Sequence, residues 1–443
     1  MNLRLAAVLA AATLALAACS PEPPAPSPTL TSAPPTPTPT ATATPKPNPS
    51  VGPLAPVELT VADGTDPGPA RGQSLNLPAG WTAEVWANVP GARLAAWTPD
   101  GRLLVSNGGG GTVTMLTPTQ PGKAPTASAL LEGLNRPQGL AFTPDGSTLV
   151  VGESDRIVAY DYSGGKASNP RVLVDNLPTS GHGAKGVAIS GDTVFYSLGS
   201  GSNRDASERS QNPERASIWR VNLDGSGNEM VARGVRNGMA LAIAPDGTLF
   251  SAVNQMDNQP YPYRDDSGNY GKEIPEFINE NPVEQVTRIT DGIDLGWPLC
   301  VPDIRETPDL LDIPFVNDPV NNPEGDRLDC STLPNTMLGL PAHSAPLGLS
   351  FTAGTPLESA IGSGALIAVH GSWNRTEPRE PGVYFSPWTD ATATLGATVP
   401  LVTGFQSDAG SRWGRSVTAV PGGDGSLYVT DDAAGLVYRI APG

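Results

Sequence analysis

Gly139-Leu140-Ala141-Phe142-Thr143-Pro144-Asp145-Gly146-Ser147-Thr148-Leu149-Val150-Val151 is the stretch that decides the fold. Two short apolar runs flank a Pro-Asp-Gly turn. Asp bonds its own backbone and Gly tolerates positive φ, so the stretch predicts a tight antiparallel hairpin. The same signal stands at Pro99-Asp100-Gly101, about 45 residues upstream, and at Ser190-Gly191-Asp192, about 46 downstream. It returns at Pro245-Asp246-Gly247, Ala353-Gly354-Thr355 and Gly422-Gly423-Asp424-Gly425. A period of about 45 residues is that of one four-stranded propeller blade, and the longer later intervals imply insertions. Six such signals predict an all-β, six-bladed β-propeller with four-stranded blades.

The chain ends predict how the ring closes. After the last turn only Ser426-Leu427-Tyr428-Val429-Thr430 and Leu436-Val437-Tyr438-Arg439-Ile440 remain, so the last blade lacks one strand. The alternating segment Trp81-Thr82-Ala83-Glu84-Val85-Trp86-Ala87-Asn88-Val89 precedes the first repeat and is expected to supply it, leaving no open seam. A large insertion is expected at about 256–342, holding Tyr261-Pro262-Tyr263, several acids, Cys300 and Cys330. Such segments are usually functional or covalently tied. This one either shapes a substrate mouth or is a solvated excursion.

The propeller is expected over residues 58–443. Residues 1–18 read as a lipoprotein signal peptide: Arg4, then an apolar run too short to span a bilayer. Leu16-Ala17-Ala18-Cys19 resembles a lipobox, which implies cleavage before Cys19 and lipidation of its thiol. Residues 19–57 are then a Pro/Thr-rich disordered tether that cannot bury enough apolar surface to offset its ordering entropy. The protein is thus expected on the periplasmic or extracellular side of a bacterial membrane, held through its lipid alone. Cys300 and Cys330 are the cysteines left, and in an exported chain such a pair reads as a disulfide before a metal site. The net charge of −17 argues against nucleic acid as a partner. No Gly-x-Gly-x-x-Gly opens a helix, which argues against a nicotinamide-binding enzyme.

In a propeller the residues just before the innermost strands meet at the central axis. Here they are Arg93, Gln138, His182 with Lys185, Arg236 with Asn237, His343, and Arg412 with Arg415. An acidic chain thus presents a cationic ring, which suits an anionic ligand because guanidinium forks pair well with carboxylates. The three histidines, His182, His343 and His370, are the candidates for proton transfer near neutral pH.

Several motifs stand in order along these strands: Leu177-Pro178 with Gly181-His182, Val235-Arg236-Asn237, Gly296-Trp297-Pro298, His343-Ser344-Ala345-Pro346-Leu347-Gly348, His370-Gly371-Ser372-Trp373-Asn374-Arg375, Trp413-Gly414-Arg415 and Asp431-Asp432. Over residues 75–442 the chain resembles the glucose/sorbosone dehydrogenase family, six-bladed propellers that use pyrroloquinoline quinone (PQQ) and Ca²⁺. The His343 and His370 motifs place it nearer the sorbosone branch. The resemblance implies oxidation of an aldose or related sugar aldehyde at the anomeric carbon. His182 matches the general base, and a hydride passes to PQQ and then to a quinone or small electron carrier. Arg236 matches the arginine that stabilises the developing oxyanion, and Asn237, His343, Arg375 and Arg415 match cofactor contacts. Trp413 occupies the place of a second family arginine, which leaves Arg412 to reach over. Gln138, His370 and Trp373 fall on the substrate side. Asn254 and Asp257 lie in the loop whose carbonyls hold Ca²⁺ in the glucose branch. The Asp that branch places near its base is missing from Ser197-Leu198-Gly199-Ser200-Gly201-Ser202-Asn203, so what orients His182 is open. Trp297 reads as packed, with its N–H bonded. The alternatives are a six-bladed lactonase or other metal-dependent hydrolase, which needs Glu, Asn and Asp around an axial metal, and a non-catalytic propeller that binds glycans or protein.

Overall fold

The computed structural model describes residues 51–407 and 410–443. The expected signal peptide, Cys19 and most of the expected tether lie outside the described residues. Leu54–Glu58, just ahead of the expected boundary at 58, pairs with Ser74–Pro78.

Six sheets form the ring, each entered from its inner strand: Ala92–Trp97, Leu140–Phe142, Val187–Ser190, Ala240–Ile243, Pro346–Phe351 and Ser416–Pro421 open blades one to six. Each turn glycine of the repeat (Gly101, Gly146, Gly191, Gly247, Gly354 and Gly425) has a φ between 57° and 83°, the region that an L side chain rarely adopts. The turn aspartates work as the motif requires: Asp145 Oδ1 accepts from Thr143 Oγ1 at 2.6 Å and from the Ser147 amide at 3.0 Å. Thr82–Asn88 closes blade six, running antiparallel to Leu436–Ala441 from the Ala441↔Thr82 pair to Leu436↔Asn88. The expected closing strand is therefore where the alternation put it.

The apolar core lies between blades. Successive residues of one strand face opposite ways, so Leu149 and Val151 pack with Leu104 and Val113 of blade one, while Val150 packs with Val187 and Val194 of blade three. This explains why the second strand of each blade is a nearly unbroken apolar run. Such strands are buried on both faces.

The segment 256–342 is not one insertion. It contains Glu284–Ile289 and Thr336–Leu340, the third and fourth strands of blade four. Each is separated from its partner by a long loop, so no tight turn signals the pairing. Within it Ile293–Asp294 adds a parallel strand to blade three, and Cys300 is bonded to Cys330. Tyr261, Tyr263 and Phe277 pack edge to face, with the Arg305 guanidinium 3.6 Å over the Tyr263 ring. Trp297 is buried and donates to the Asn203 carbonyl at 3.1 Å, the packed and bonded indole expected.

Candidate active site on the propeller axis

A cavity of about 520 Å³ opens on the axis and takes lining from every blade: Arg93, Gln138, His182, Asn237, Leu347 and Asp432 come from blades one to six in turn. Chain-distant positions meet there because each lies at the start of an inner strand, or, for Asp432, just past the second strand of blade six.

His182 sits on a loop that two glycines press against blade three. A Cβ on Gly181 (φ 58°) would lie 2.5 Å from the Gly201 carbonyl oxygen, and one on Gly199 would lie 2.5 Å from the Cβ of His182. The His182 Nδ1 is 2.9 Å from Ser200 Oγ and 3.1 Å from the Ser200 carbonyl. Ser200 Oγ donates its own proton to the Ser202 carbonyl at 2.7 Å. Both oxygens near Nδ1 are therefore acceptors. Nδ1 carries the proton, and Nε2 keeps its lone pair. Among the described residues nothing bonds Nε2. Burial, reinforced by the Arg236 and Arg215 charges, pushes the imidazole down to about 4. His182 is thus a neutral acceptor at the cavity wall, oriented by Ser200 where the sequence showed no Asp. The signal was the serine itself, whose two oxygens do not stand out in a Gly/Ser stretch.

Lys185 does not reach the cavity. Its ammonium bonds the carbonyls of Pro178 (2.8 Å) and Gly183 (2.7 Å) and so pins the His182 loop, and burial pulls it down to about 7. Arg236 is also buried: it donates to the carbonyls of Gln255 (2.7 Å), Asn254 (3.2 Å) and Asn203 (3.2 Å), and its nearest carboxylate, Asp257, is 4.0 Å away. Asn237 lines the cavity with Gln138.

The remaining assignments separate. His343, in a left-handed backbone (φ 61°), has Nε2 2.6 Å from the Ile278 carbonyl and Nδ1 3.7 Å from Asp257, so it braces the loops of blade four behind the cavity wall. Burial lowers its pKa, but Asp257 and the Ile278 carbonyl outweigh that and raise it. His370 meets Asp432 at 2.8 Å, and burial holds it low despite that carboxylate. Trp373 is 77% exposed and is not among the residues lining the cavity. Arg375 pairs with Glu280 and bonds the carbonyls of Asn279, Thr376 and Glu377. Those partners engage its guanidinium nitrogens, and Arg375 is not among the residues lining the cavity. Arg412 bonds Gln406 (2.8 Å) and the carbonyls of Arg379 and Ser372. Arg415 bonds the carbonyls of His370 (3.0 Å) and Gly371 (3.4 Å).

Two acids at the site carried no role in the sequence. Asp432 joins Arg93 (2.6 Å) to His370, and Arg93 also donates to Gln138 at 3.0 Å. Glu284, fully buried, accepts from the amides of Gln255 (2.6 Å) and Ala345 (3.0 Å), tying the Asn254–Asp257 loop to the His343 loop, and burial pushes it up to about 7. A Glu inside an alternating strand was its only mark.

The residues fit a polyanionic cofactor. Among the described residues the guanidinium groups of Arg236 and Arg415 hydrogen-bond to carbonyl and amide oxygens, which leaves their charges without a directly bonded carboxylate. Positive charge held this way, buried at Arg236 and half-buried at Arg415, favours the three carboxylates of PQQ. A cation on Asn254 and Asp257 does not fit. The Asn254 and Gln255 carbonyls accept from Arg236, and the Asp257 carbonyl accepts from Asn203 Nδ2 at 2.8 Å. No cluster of three His, Cys, Asp or Glu side chains able to hold a metal occurs among the described residues.

Comparison with known proteins agrees with the fold and places the chain. It is 26% identical over 426 residues to a pyrroloquinoline quinone-dependent pyranose dehydrogenase of Coprinopsis cinerea, a match covering 86% of this chain and 54% of that protein. The chain spans about half the length of the curated relatives it matches. The holo PQQ domain of the C. cinerea enzyme superposes with a TM-score of 0.72 at 24% identity, covering 86% of this chain and all of that domain (100%). The calcium structure of a Trichoderma reesei AA12 enzyme gives 0.70 at 19% identity, with 86% and 100% covered. PQQ-bound aldose sugar dehydrogenase of Streptomyces coelicolor gives 0.51 at 18%, with 82% and 99% covered. The family model described as TrAA12-like matches residues 75–442, nearly all of the folded chain, and this protein belongs to that family.

Proposed function

We propose that this protein oxidises a sugar at its anomeric carbon with PQQ as the electron acceptor. The observation that carries this reading is His182: a neutral imidazole with Nδ1–H committed to Ser200 and Nε2 unbonded at the wall of an axial cavity. The likeness to PQQ-dependent pyranose dehydrogenase supports it. PQQ, when bound, supplies an electrophilic ortho-quinone carbonyl that takes up a hydride.

The chain's own residues handle the proton and the orientation. His182 Nε2 accepts the proton of the anomeric hydroxyl as the C1 hydrogen leaves as hydride, and Ser200 keeps the ring aligned throughout. Arg236 contributes fixed positive charge for the oxygen on which negative charge develops, in a site already desolvated. Asn237 and Gln138 present amide groups to the cavity, and Arg93 holds Gln138 in place. The substrate class is an aldose or related sugar aldehyde, and the electrons pass on to a quinone or small carrier.

We also propose that the protein is a lipoprotein, anchored through Cys19 on the non-cytoplasmic side of a bacterial membrane. The Cys300–Cys330 disulfide supports an oxidising compartment. Mass spectrometry of the mature N-terminus tests the anchor, since an unmodified Cys19 excludes it.

The enzymatic reading is tested by titrating the full-length protein with PQQ and following quinone absorbance on addition of aldoses. Saturable binding and sugar-dependent bleaching, both seen in the wild type, with bleaching lost in His182→Ala, is the expected result. Undiminished bleaching in His182→Ala removes His182 as the base. Absence of PQQ binding removes the reading altogether.

A further inference from the structure

The segment Asn107-Gly108-Gly109-Gly110-Gly111 has no part in the proton chemistry, yet Gly108 and Gly109 line the same cavity as His182. The run of glycines has a packing cause. A Cβ on Gly108 would fall 2.3 Å from Gln138 Nε2, and one on Gly111 (φ 62°) would fall 2.6 Å from the Leu134 carbonyl oxygen. The turn is therefore pressed against the 134–138 segment, which carries Arg136.

Arg136 is unusual in three ways. It lines the cavity while remaining exposed. Its φ is 50° although Pro137 follows, and a residue before proline strongly prefers extended backbone. That conformation is held from both sides: the Leu134 amide donates to Gly111, the Ser154 amide donates to the Asn135 carbonyl at 2.8 Å, and the Asn135 amide donates to buried Glu153 at 2.5 Å. Finally, its guanidinium makes no hydrogen bond or ion pair among the described residues, whereas the cavity's other arginine, Arg93, is paired with Asp432. The amides of Gly108 and Gly109 likewise donate to no described group. A strained backbone thus directs an unneutralised cation, beside two unbonded backbone donors, at the mouth of the site.

We propose that Arg136 with the Gly108 and Gly109 amides forms a carboxylate subsite, and that the sugar oxidised here is an acidic one, a uronic acid or an oligosaccharide ending in one. The proposal rests on the dehydrogenase reading for the word oxidised but not for the binding itself. A guanidinium fork and backbone amides are the donors that a carboxylate selects. Exposure of Arg136 suits a group that enters and leaves at each turnover. The cofactor's carboxylates have other candidate partners in buried Arg236 and half-buried Arg415. The chain's net charge of −17 opposes an anion at long range, but salt screens that field beyond about 8 Å, so the contact cation decides.

The test is calorimetry of D-glucuronate and D-glucose binding to the full-length protein, with and without PQQ, at low and high salt. One charge-assisted contact corresponds to about a tenfold preference for glucuronate. That preference should shrink as salt rises, persist in part in Arg136→Lys and vanish in Arg136→Gln, with PQQ affinity unchanged. Equal affinity for the two sugars overturns the proposal, as does a preference that survives Arg136→Gln. Weaker PQQ binding in Arg136→Gln with an unchanged sugar preference also overturns it, because the carboxylate then belongs to the cofactor. Failure of the protein to bind PQQ at all defeats the dehydrogenase reading, while a glucuronate preference in the cofactor-free protein still upholds the subsite.

Discussion

The acid limb of the pH–rate profile is the most direct measure of how His182 is held. An ordinary imidazole titrates near 6.5, while burial, with help from Arg236, brings this one to about 4. At pH 5 a group titrating at about 4 is roughly 90% neutral, and one titrating at about 6.5 only roughly 3% neutral. The two cases differ about 30-fold in the fraction of active base. kcat/KM for the free enzyme should therefore stay nearly flat from about pH 7 to pH 5 and fall only near pH 4. The measurement is a series of initial rates with PQQ-loaded protein and saturating electron acceptor, with circular dichroism at each pH to separate unfolding from titration. Arg236→Gln should move the limb upward, since the Arg236 charge opposes the imidazolium. A limb near pH 6.5 in the wild type, or no movement in Arg236→Gln, refutes the argument that a desolvated imidazole beside a buried guanidinium is the base.

Ser200→Ala leaves Nδ1 only the carbonyl at 3.1 Å, so kcat should fall about 2- to 10-fold with little change in PQQ affinity, read by steady-state kinetics and quinone titration. Glu284 has a folded pKa of about 7 against an ordinary value of 4.5, so the folded state holds a proton that the unfolded state has lost. Its contribution is therefore full below the ordinary value and is lost as pH rises to about 7. Glu284→Gln should flatten that slope, worth about 3 kcal/mol between the two ends, in urea melts across the range. Cys330→Ser removes a bridge closing a separation of 30 residues and should cost about 3–4 kcal/mol by the same melts, with reducing agent lowering the wild type to match. Leu149→Ala, between blades one and two, should cost about 2–5 kcal/mol without shifting the acid limb.

The fold was legible because its signals are local. A Pro-Asp-Gly turn needs only its own residues to reveal positive φ, and the spacing of such turns counts the blades. The closing strand Thr82–Asn88 was legible because alternation shows a strand wherever it pairs. The third and fourth strands of blade four were not, since long loops displace each from its partner and no turn marks the pairing. The site divides along the same line. His182, Asn237 and Gln138 were found because position before an inner strand brings a residue to the axis. Ser200 and Glu284 act through contacts with residues distant in sequence, and nothing in their own neighbourhoods shows which atoms they meet. Arg375 and Trp373 fit a motif order, but that order did not disclose the Glu280 partner of the one or the exposure of the other.

The cationic ring has a different basis from the one its residue types suggested. Counting Arg and Lys near the axis implies free charges waiting for a ligand, but most of these groups are already engaged. What matters is the kind of partner. Arg93 is cancelled by a carboxylate, so it acts as a brace for Gln138 and Asp432. Arg236 and Arg415 meet carbonyl dipoles, which hold a guanidinium in place without removing its charge. A guanidinium with dipolar partners keeps its field, and that of buried Arg236 reaches His182 at the cavity wall. Burial, and after it the Arg236 charge, depresses His182, and that same charge favours an anionic cofactor. The base's low pKa and the cofactor's affinity are therefore linked. Replacing Arg236 by a neutral residue should raise the one and weaken the other in the same protein, and a variant that changed only one of them would break the link.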